Sequence, residues 1–215
     1  MAAIDGDIRG YAAVLQPGRR KTTLALSGAA AALAVAIVSF LVHGGDQNAA
    51  RFAALMVFRA SSVAFLLYYL ATPLAGLVRT GAVLSFARQR TGLALAFVCA
   101  YAVFLGCALA PDYLSGAHIA LPTLAFSIFS GVILAVVVAG EFAGRVDAEW
   151  RPALRAMECV GVAYFWLVYA IDDLDHISGP HRPDYFYNVS LLVLVLALLM
   201  RFAGNFLERY KLARD

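Results

Sequence analysis

The chain has 215 residues, of which 62% are hydrophobic, and its formal net charge at neutral pH is +3. Soluble domains are close to half apolar, so this composition predicts an integral membrane protein. The apolar runs take up most of the length, which leaves no room for a flavin or nicotinamide domain, and no Gly-x-Gly-x-x-Gly motif follows a predicted strand. The modest net charge gives no reason to expect a nucleic-acid partner.

Six apolar runs follow one another, and each approaches the ~20 residues that a helix needs to cross a bilayer. None shows the alternating pattern of barrel strands. The predicted fold is therefore all-α, a polytopic bundle of six transmembrane helices with both termini in the cytoplasm. We predict an N-terminal cytoplasmic segment over 1–22, a transmembrane domain over 23–206 and a basic cytoplasmic tail over 207–215. The spans are about 23–42, 52–78, 91–110, 119–142, 152–171 and 187–206.

Small residues and prolines mark the first three spans. Gly28, Ala32 and Ala36 recur every four positions, so they share one helix face. Such a stripe lets another helix approach closely, and we favour a helix of the same bundle over one from another subunit. Pro73 is expected to bend or end the second span, and the third is expected to stop at Pro111.

Positive charge is distributed unevenly between the two sets of loops. The N-terminal segment, the 79–90 loop, the 144–155 segment and the tail carry thirteen Lys and Arg residues. The remaining loops carry two, Arg51 and Arg182. Cationic loops stay in the cytoplasm. This asymmetry predicts cytoplasmic termini, and we expect the protein in a bacterial inner (plasma) membrane.

Short motifs in the second and third spans resemble a known family. The second span contains Arg59-Ala60-Ser61 and ends near Thr72-Pro73-Leu74, and Arg88-Gln89-Arg90-Thr91-Gly92-Leu93 leads into the third. Together they resemble the ferric reductase-like transmembrane domain, and within it the haem-binding membrane subunit of the periplasmic methionine sulfoxide reductase system. The resemblance covers about 59–206. It implies an electron conduit whose haem is held by histidines in the third and fifth spans.

The haem-ligand histidines of that family are missing here. The resemblance places the ligand positions at about Ala102 in the third span and at about Arg155 and Val168 in the fifth, and all four histidines lie outside the apolar spans. Thiolates are another class of axial ligand, and Cys99 and Cys159 lie at similar depths, where they could face one another. Two buried thiolates would need charge compensation. We therefore expect no cofactor, with haem b as the alternative.

Charges inside the apolar runs are candidates for a functional site, because each costs about 2.5–3.5 kcal/mol at the bilayer centre. Three lie well inside: Arg59, Glu158 and Arg201. Glu158 and Arg201 reach a similar depth and can pair, and Arg155, one helical turn from Glu158, is a rival partner. These charges indicate either a polar functional site or a structural ion pair together with an arginine that extends to the membrane surface.

The outer side of the bundle is acidic. Arg59 is expected to extend toward Asp112 or Asp172 there. The loop after the fifth span combines carboxylates with imidazoles, ligands that suit Zn, Cu, Fe or Mn. Its spacing matches no tight motif, so a solvated acidic loop is the alternative interpretation. The candidate metal ligands are Asp172, Asp173, Asp175, His176 and His181.

Three functions fit these observations. The first is a non-catalytic scaffold or subunit that binds lipid, another membrane protein or a periplasmic protein. The second is a membrane oxidoreductase that holds haem through unusual ligands and takes electrons from a separate donor. The third is a carrier of ions or small molecules that uses Arg59 and Glu158. A visible absorption spectrum separates the first two.

Overall fold

A computed structural model describes residues 17–78, 80–116, 118–143, 147–179 and 185–212, with side chains between 23 and 203. Within these residues there are seven α-helices, and all but the third are long and apolar enough to cross a membrane. The six apolar helices of the predicted all-α fold are thus confirmed. The helices are α1 Pro17–Val42, α2 Gln47–Leu77, α3 Gly81–Arg88, α4 Arg90–Leu114, α5 Leu121–Glu141, α6 Arg151–Ser178 and α7 Tyr185–Leu212.

Five helices form a closed ring, and α1 packs on its outside. Around the ring, α2 contacts α4, α4 contacts α5, α5 contacts α6, α6 contacts α7, and α7 returns to α2, while α1 lies along α2 and α4. Leu, Val and Ile side chains are exposed on the outer surface, as expected for helices that face lipid. Each ring helix contributes to one buried core, for example through Phe65, Phe97, Leu134, Phe165 and Leu194.

The small-residue stripe of α1 packs against α4. A Cβ atom added at Gly28 would lie 2.7 Å from Ala96 Cβ and 2.9 Å from Ala96 Cα. Farther along the stripe, Ala32 and Ala36 are buried in a cluster with Ala100. The absence of large side chains lets the two backbones approach closely. The prediction that the stripe packs against a helix of the same bundle is confirmed.

Gly28→Ala is expected to lower the free energy of unfolding by about 1–3 kcal/mol, because the new methyl group would overlap the α4 backbone at Ala96 and push α1 away. Denaturant titration in mixed micelles measures the change. Gly106→Ala is the matched control, since a Cβ there meets nothing within 4 Å. Equal stability of the two variants would show that α1 does not depend on this close contact.

Several helix boundaries differ from the predicted ones. Pro73 lies inside α2 and Pro111 inside α4, each near the C-terminal end, so each helix continues for three or four residues past its proline although the proline removes one backbone hydrogen bond. The 79–90 loop contains α3, whose first turn is capped by Thr80 accepting a hydrogen bond from Val83 N at 3.4 Å. Helices α1 and α7 also extend into the two predicted cytoplasmic segments.

Candidate functional site

A charged cluster lies at one end of the bundle, where four helices meet. Arg90, the first residue of α4, forms an ion pair with Glu158 of α6, and its Nη2 lies 3.0 Å from Oε1 of Glu141, the last residue of α5. Tyr68 of α2 donates a hydrogen bond to Glu158 Oε1 at 2.9 Å. Thr91 donates one to Glu141 Oε2 at 3.2 Å. We call these five residues the Arg90 cluster.

The two carboxylates of the Arg90 cluster are buried, and the guanidinium lies at the edge. Exposure of the side chain is 6% for Glu141 and 10% for Glu158, against 35% for Arg90. A buried carboxylate remains ionised only when it is paired and hydrogen-bonded. Arg90 is therefore the residue that allows both acids to be buried, and the cluster holds α2, α4, α5 and α6 together at this end.

The predicted pairing of Glu158 with Arg201 or Arg155 is wrong. Glu158 is buried and paired, as expected, but among the described side chains the cation in contact with it is Arg90. Arg201 places its guanidinium over the ring of Tyr69, 4.9 Å from the ring centroid. Their positions in the sequence place Glu158 and Arg201 at similar depths in the membrane. Depth alone does not determine whether the two side chains point toward each other.

A signal for the Arg90 cluster was present in the sequence. Arg90 begins one apolar run and Glu141 ends another, so in an antiparallel bundle both lie at the same end. Opposite charges at the same depth are expected to pair. Tyr68 gave no such signal, because its role depends on the side of α2 that faces α6.

A cavity of about 410 Å³ opens beside the Arg90 cluster. Three arginines and two glutamates are among its lining residues, which leaves one surplus positive charge when all five side chains are ionised. This arrangement can hold a small anionic group. The lining residues are Arg90, Gly140, Glu141, Arg155, Glu158, Cys159 and Arg201.

A second charged group, the Arg59 cluster, lies toward the other end of the bundle. The guanidinium of Arg59 lies 4.8 Å from the ring centroids of both Phe186 and Tyr187 on α7. The predicted direction of Arg59 toward Asp112 or Asp172 stays a prediction. The two rings were not predicted, because the sequence does not show that α7 lies beside α2.

The predicted metal-binding loop is largely part of a helix. Helix α6 continues to residue 178, so four of the five candidate ligands lie on its last turns. Three of these four, Asp172, Asp175 and His176, share one face of the helix, and Asp173 points about 100° away from Asp172. Asp173 is buried, whereas Asp175 is exposed. In the part of the chain that the structure describes, no three His, Cys, Asp or Glu residues form a group suited to a metal. The four residues are Asp172, Asp173, Asp175 and His176, and His181 lies outside the described residues.

Aromatic rings fill the centre of the bundle between the two charged clusters. Phe97 and Tyr101 of α4 meet Phe165 and Tyr169 of α6, with centroids 4.8 Å apart for Tyr101 and Phe165 and 5.0 Å apart for Phe97 and Phe165. The ring of Phe65 on α2 lies 5.2 Å from Phe97. All five side chains are at most 1% exposed. We call them the aromatic core, and they occupy the space between α4 and α6.

The two cysteines considered as haem ligands are not both inside the bundle. Cys159 is exposed and lines the cavity beside the Arg90 cluster, and Cys99 is partly buried. The depths of Cys99 and Cys159 left open that the two could face one another in the interior, and the exposed position of Cys159 does not support this alternative. The residues of α6 that contact α4 through the bundle centre are Phe165 and Tyr169.

The charged clusters and the aromatic core therefore divide the bundle into two charged ends and an aromatic centre. Along α6, Glu158 and Asp172 are separated by about 21 Å at the usual helical rise. The chain matches no protein-family model, no curated protein and no solved structure.

Proposed function

We propose that this chain is a multi-pass inner-membrane protein of the ferric reductase-like type that holds no haem and serves as a non-catalytic subunit. In this proposal the bundle is a scaffold for lipid and for another membrane or periplasmic protein. The observation that carries the proposal is the aromatic core. Protein interiors are packed as densely as organic crystals. A porphyrin between α4 and α6 would therefore have to displace Phe97, Tyr101, Phe165 and Tyr169.

The placement of the three described histidines supports the same proposal. His118 is exposed in the segment before α5. His43 follows the last residue of α1 and lies 2.9 Å, through Nδ1, from Ser39 O. His176 lies in the last turn of α6, with Nδ1 2.8 Å from Asp172 O. Both rings serve as local partners of carbonyls at helix ends. A haem between α4 and α6 would need axial ligands at matched depths in the interior.

The reduced-minus-oxidised absorption spectrum of protein purified from haem-replete cells tests this proposal. We expect no Soret shift and no α band. A stoichiometric Soret shift with a sharp α band would instead favour an oxidoreductase that binds haem b through unusual ligands. Loss of that signal in Cys159→Ala would identify Cys159 as one of them.

The proposal includes an orientation with both termini in the cytoplasm, which the distribution of Lys and Arg supports. Reporter domains fused after Ala213 and after Gly116 are expected to report opposite compartments, with Ala213 on the cytoplasmic side. Paired alkaline phosphatase and fluorescent protein fusions make the measurement. Finding Gly116 in the cytoplasm and Ala213 outside would reverse the orientation, and finding both in one compartment would change the number of spans.

A further inference from the structure

The cavity beside the Arg90 cluster has two arginines on its wall besides the one in the cluster. Arg90 is engaged with Glu141 and Glu158. Arg155 is exposed on α6, and Arg201 is partly buried on α7. Both line the same cavity, so arginines from two neighbouring helices border one small space that the Arg90 cluster does not fill, and the guanidinium of Arg201 also lies over the ring of Tyr69.

The charge of this cavity suits a ligand with one negative charge. Its three guanidinium groups exceed its two carboxylates by one, so a monoanion would make the site neutral. Guanidinium groups present paired N–H donors that match the oxygens of a phosphate. A phosphodiester carries one negative charge and therefore meets both requirements.

The cavity also lies at the depth of lipid headgroups. Helix α4 begins at Arg90 and α5 ends at Glu141, which places these ends near the boundary of the hydrocarbon region. Arg155 lies one turn inside the start of α6, and Arg201 lies in the half of α7 that leads to its C-terminal end. Basic pockets between transmembrane helices on the cytoplasmic side bind anionic headgroups, and this is the side with the predicted excess of positive loops.

We propose that this cavity binds the phosphate of an anionic phospholipid, a phosphodiester with one net negative charge, between Arg155 and Arg201. Zwitterionic phospholipids have the same phosphate, but their ammonium group would add a positive charge to a site that already has a surplus. The site should therefore discriminate between phosphatidylglycerol and phosphatidylcholine.

The test places the full chain in bilayers that contain both lipids and uses mass spectrometry to measure the lipid that stays bound after detergent extraction. We expect phosphatidylglycerol to be enriched on the order of tenfold over its share of the bilayer, since two cations contact its phosphate. Arg155→Gln combined with Arg201→Gln should abolish the enrichment. Arg88→Gln removes a charge from the exposed end of α3 outside the cavity lining and should leave it unchanged.

Three results would overturn the proposal. The first is equal retention of the two lipids by the unaltered protein, which needs no variant. The second is full enrichment in the double variant. The third is obtained in pure phosphatidylcholine bilayers. If inorganic phosphate raises the thermal unfolding midpoint of the unaltered protein there but not that of the double variant, the ligand is a free phosphate. If the double variant does not fold, Arg155→Gln alone is measured. This variant should fold, because Arg155 is exposed, and it should reduce the enrichment, because it removes one of the two proposed phosphate contacts.

Discussion

Arg90→Gln is expected to lower the free energy of unfolding by about 3 kcal/mol, the lower end of the range for removing one partner of a buried ion pair. The loss is large because Glu141 and Glu158 would both remain buried without a cation. It stays at the lower end because about a third of the Arg90 side chain is exposed and water reaches the site. Denaturant titration in mixed micelles gives the value.

Two further variants make this prediction specific. Arg88→Gln removes the same charge two residues away on an exposed side chain, and it should change stability by less than about 0.5 kcal/mol. Adding Glu141→Gln and Glu158→Gln to Arg90→Gln should restore most of the stability, because no unpaired charge then remains buried. Equal stabilities for Arg90→Gln and Arg88→Gln would contradict the structural role of the Arg90 cluster.

Phe165→Ala is the second substitution with a large expected effect, about 2–3 kcal/mol. The Phe165 ring lies at the centre of the aromatic core, with centroids 4.8 Å from Tyr101 and 5.0 Å from Phe97. In a bilayer the transfer of the ring from lipid contributes little. Removing the ring still leaves a cavity, and the surrounding rings lose their van der Waals contacts with Phe165, which lowers the stability.

Phe202→Ala is the control for the aromatic core, because Phe202 is 66% exposed on the outer surface of α7. The Phe202 ring contacts lipid and not the core, so its removal should lower the free energy of unfolding by less than about 0.5 kcal/mol. Thermal unfolding of the two purified variants under identical conditions compares them. A similar loss in both would mean that the centre of the bundle is not tightly packed.

The spans and the packing of α1 could be predicted from the sequence because they depend on composition and local pattern. An apolar run long enough to cross a bilayer forms a helix whatever its neighbours are, since lipid offers no other partner for the backbone. The stripe Gly28, Ala32 and Ala36 needed only the helical period to be recognised. The shift of helix ends at Pro73 and Pro111 shows where such local rules lose accuracy.

The partners of the charged residues could not be predicted to the same extent, because they depend on which helices are neighbours. Glu158 was expected to be buried and paired, and it is, but its cation comes from α4 because α4, α5 and α6 meet at that end. Arg59 likewise finds Phe186 and Tyr187 because α7 closes the ring against α2.

The candidate metal ligands illustrate a different source of error. Asp172, Asp173, Asp175 and His176 are polar enough to be read as a loop, and loop residues can converge on an ion. Because α6 continues through them, the helix fixes their positions, and Asp173 is turned about 100° away from Asp172. Among the described residues, no three ligand-type side chains converge on one point. A charged stretch at the end of an apolar helix therefore does not by itself predict the end of that helix.

The haem content of the purified protein tests the central claim most directly. The pyridine haemochromogen assay measures haem per chain whatever the axial ligands are, so it does not depend on any assumption about Cys99, Cys159 or the histidines. Protein extracted in mild detergent from haem-replete cells is the sample. We expect haem far below one per chain, because the aromatic core occupies the space between α4 and α6. One haem per chain, retained through purification, would contradict a haem-free bundle and establish a redox protein.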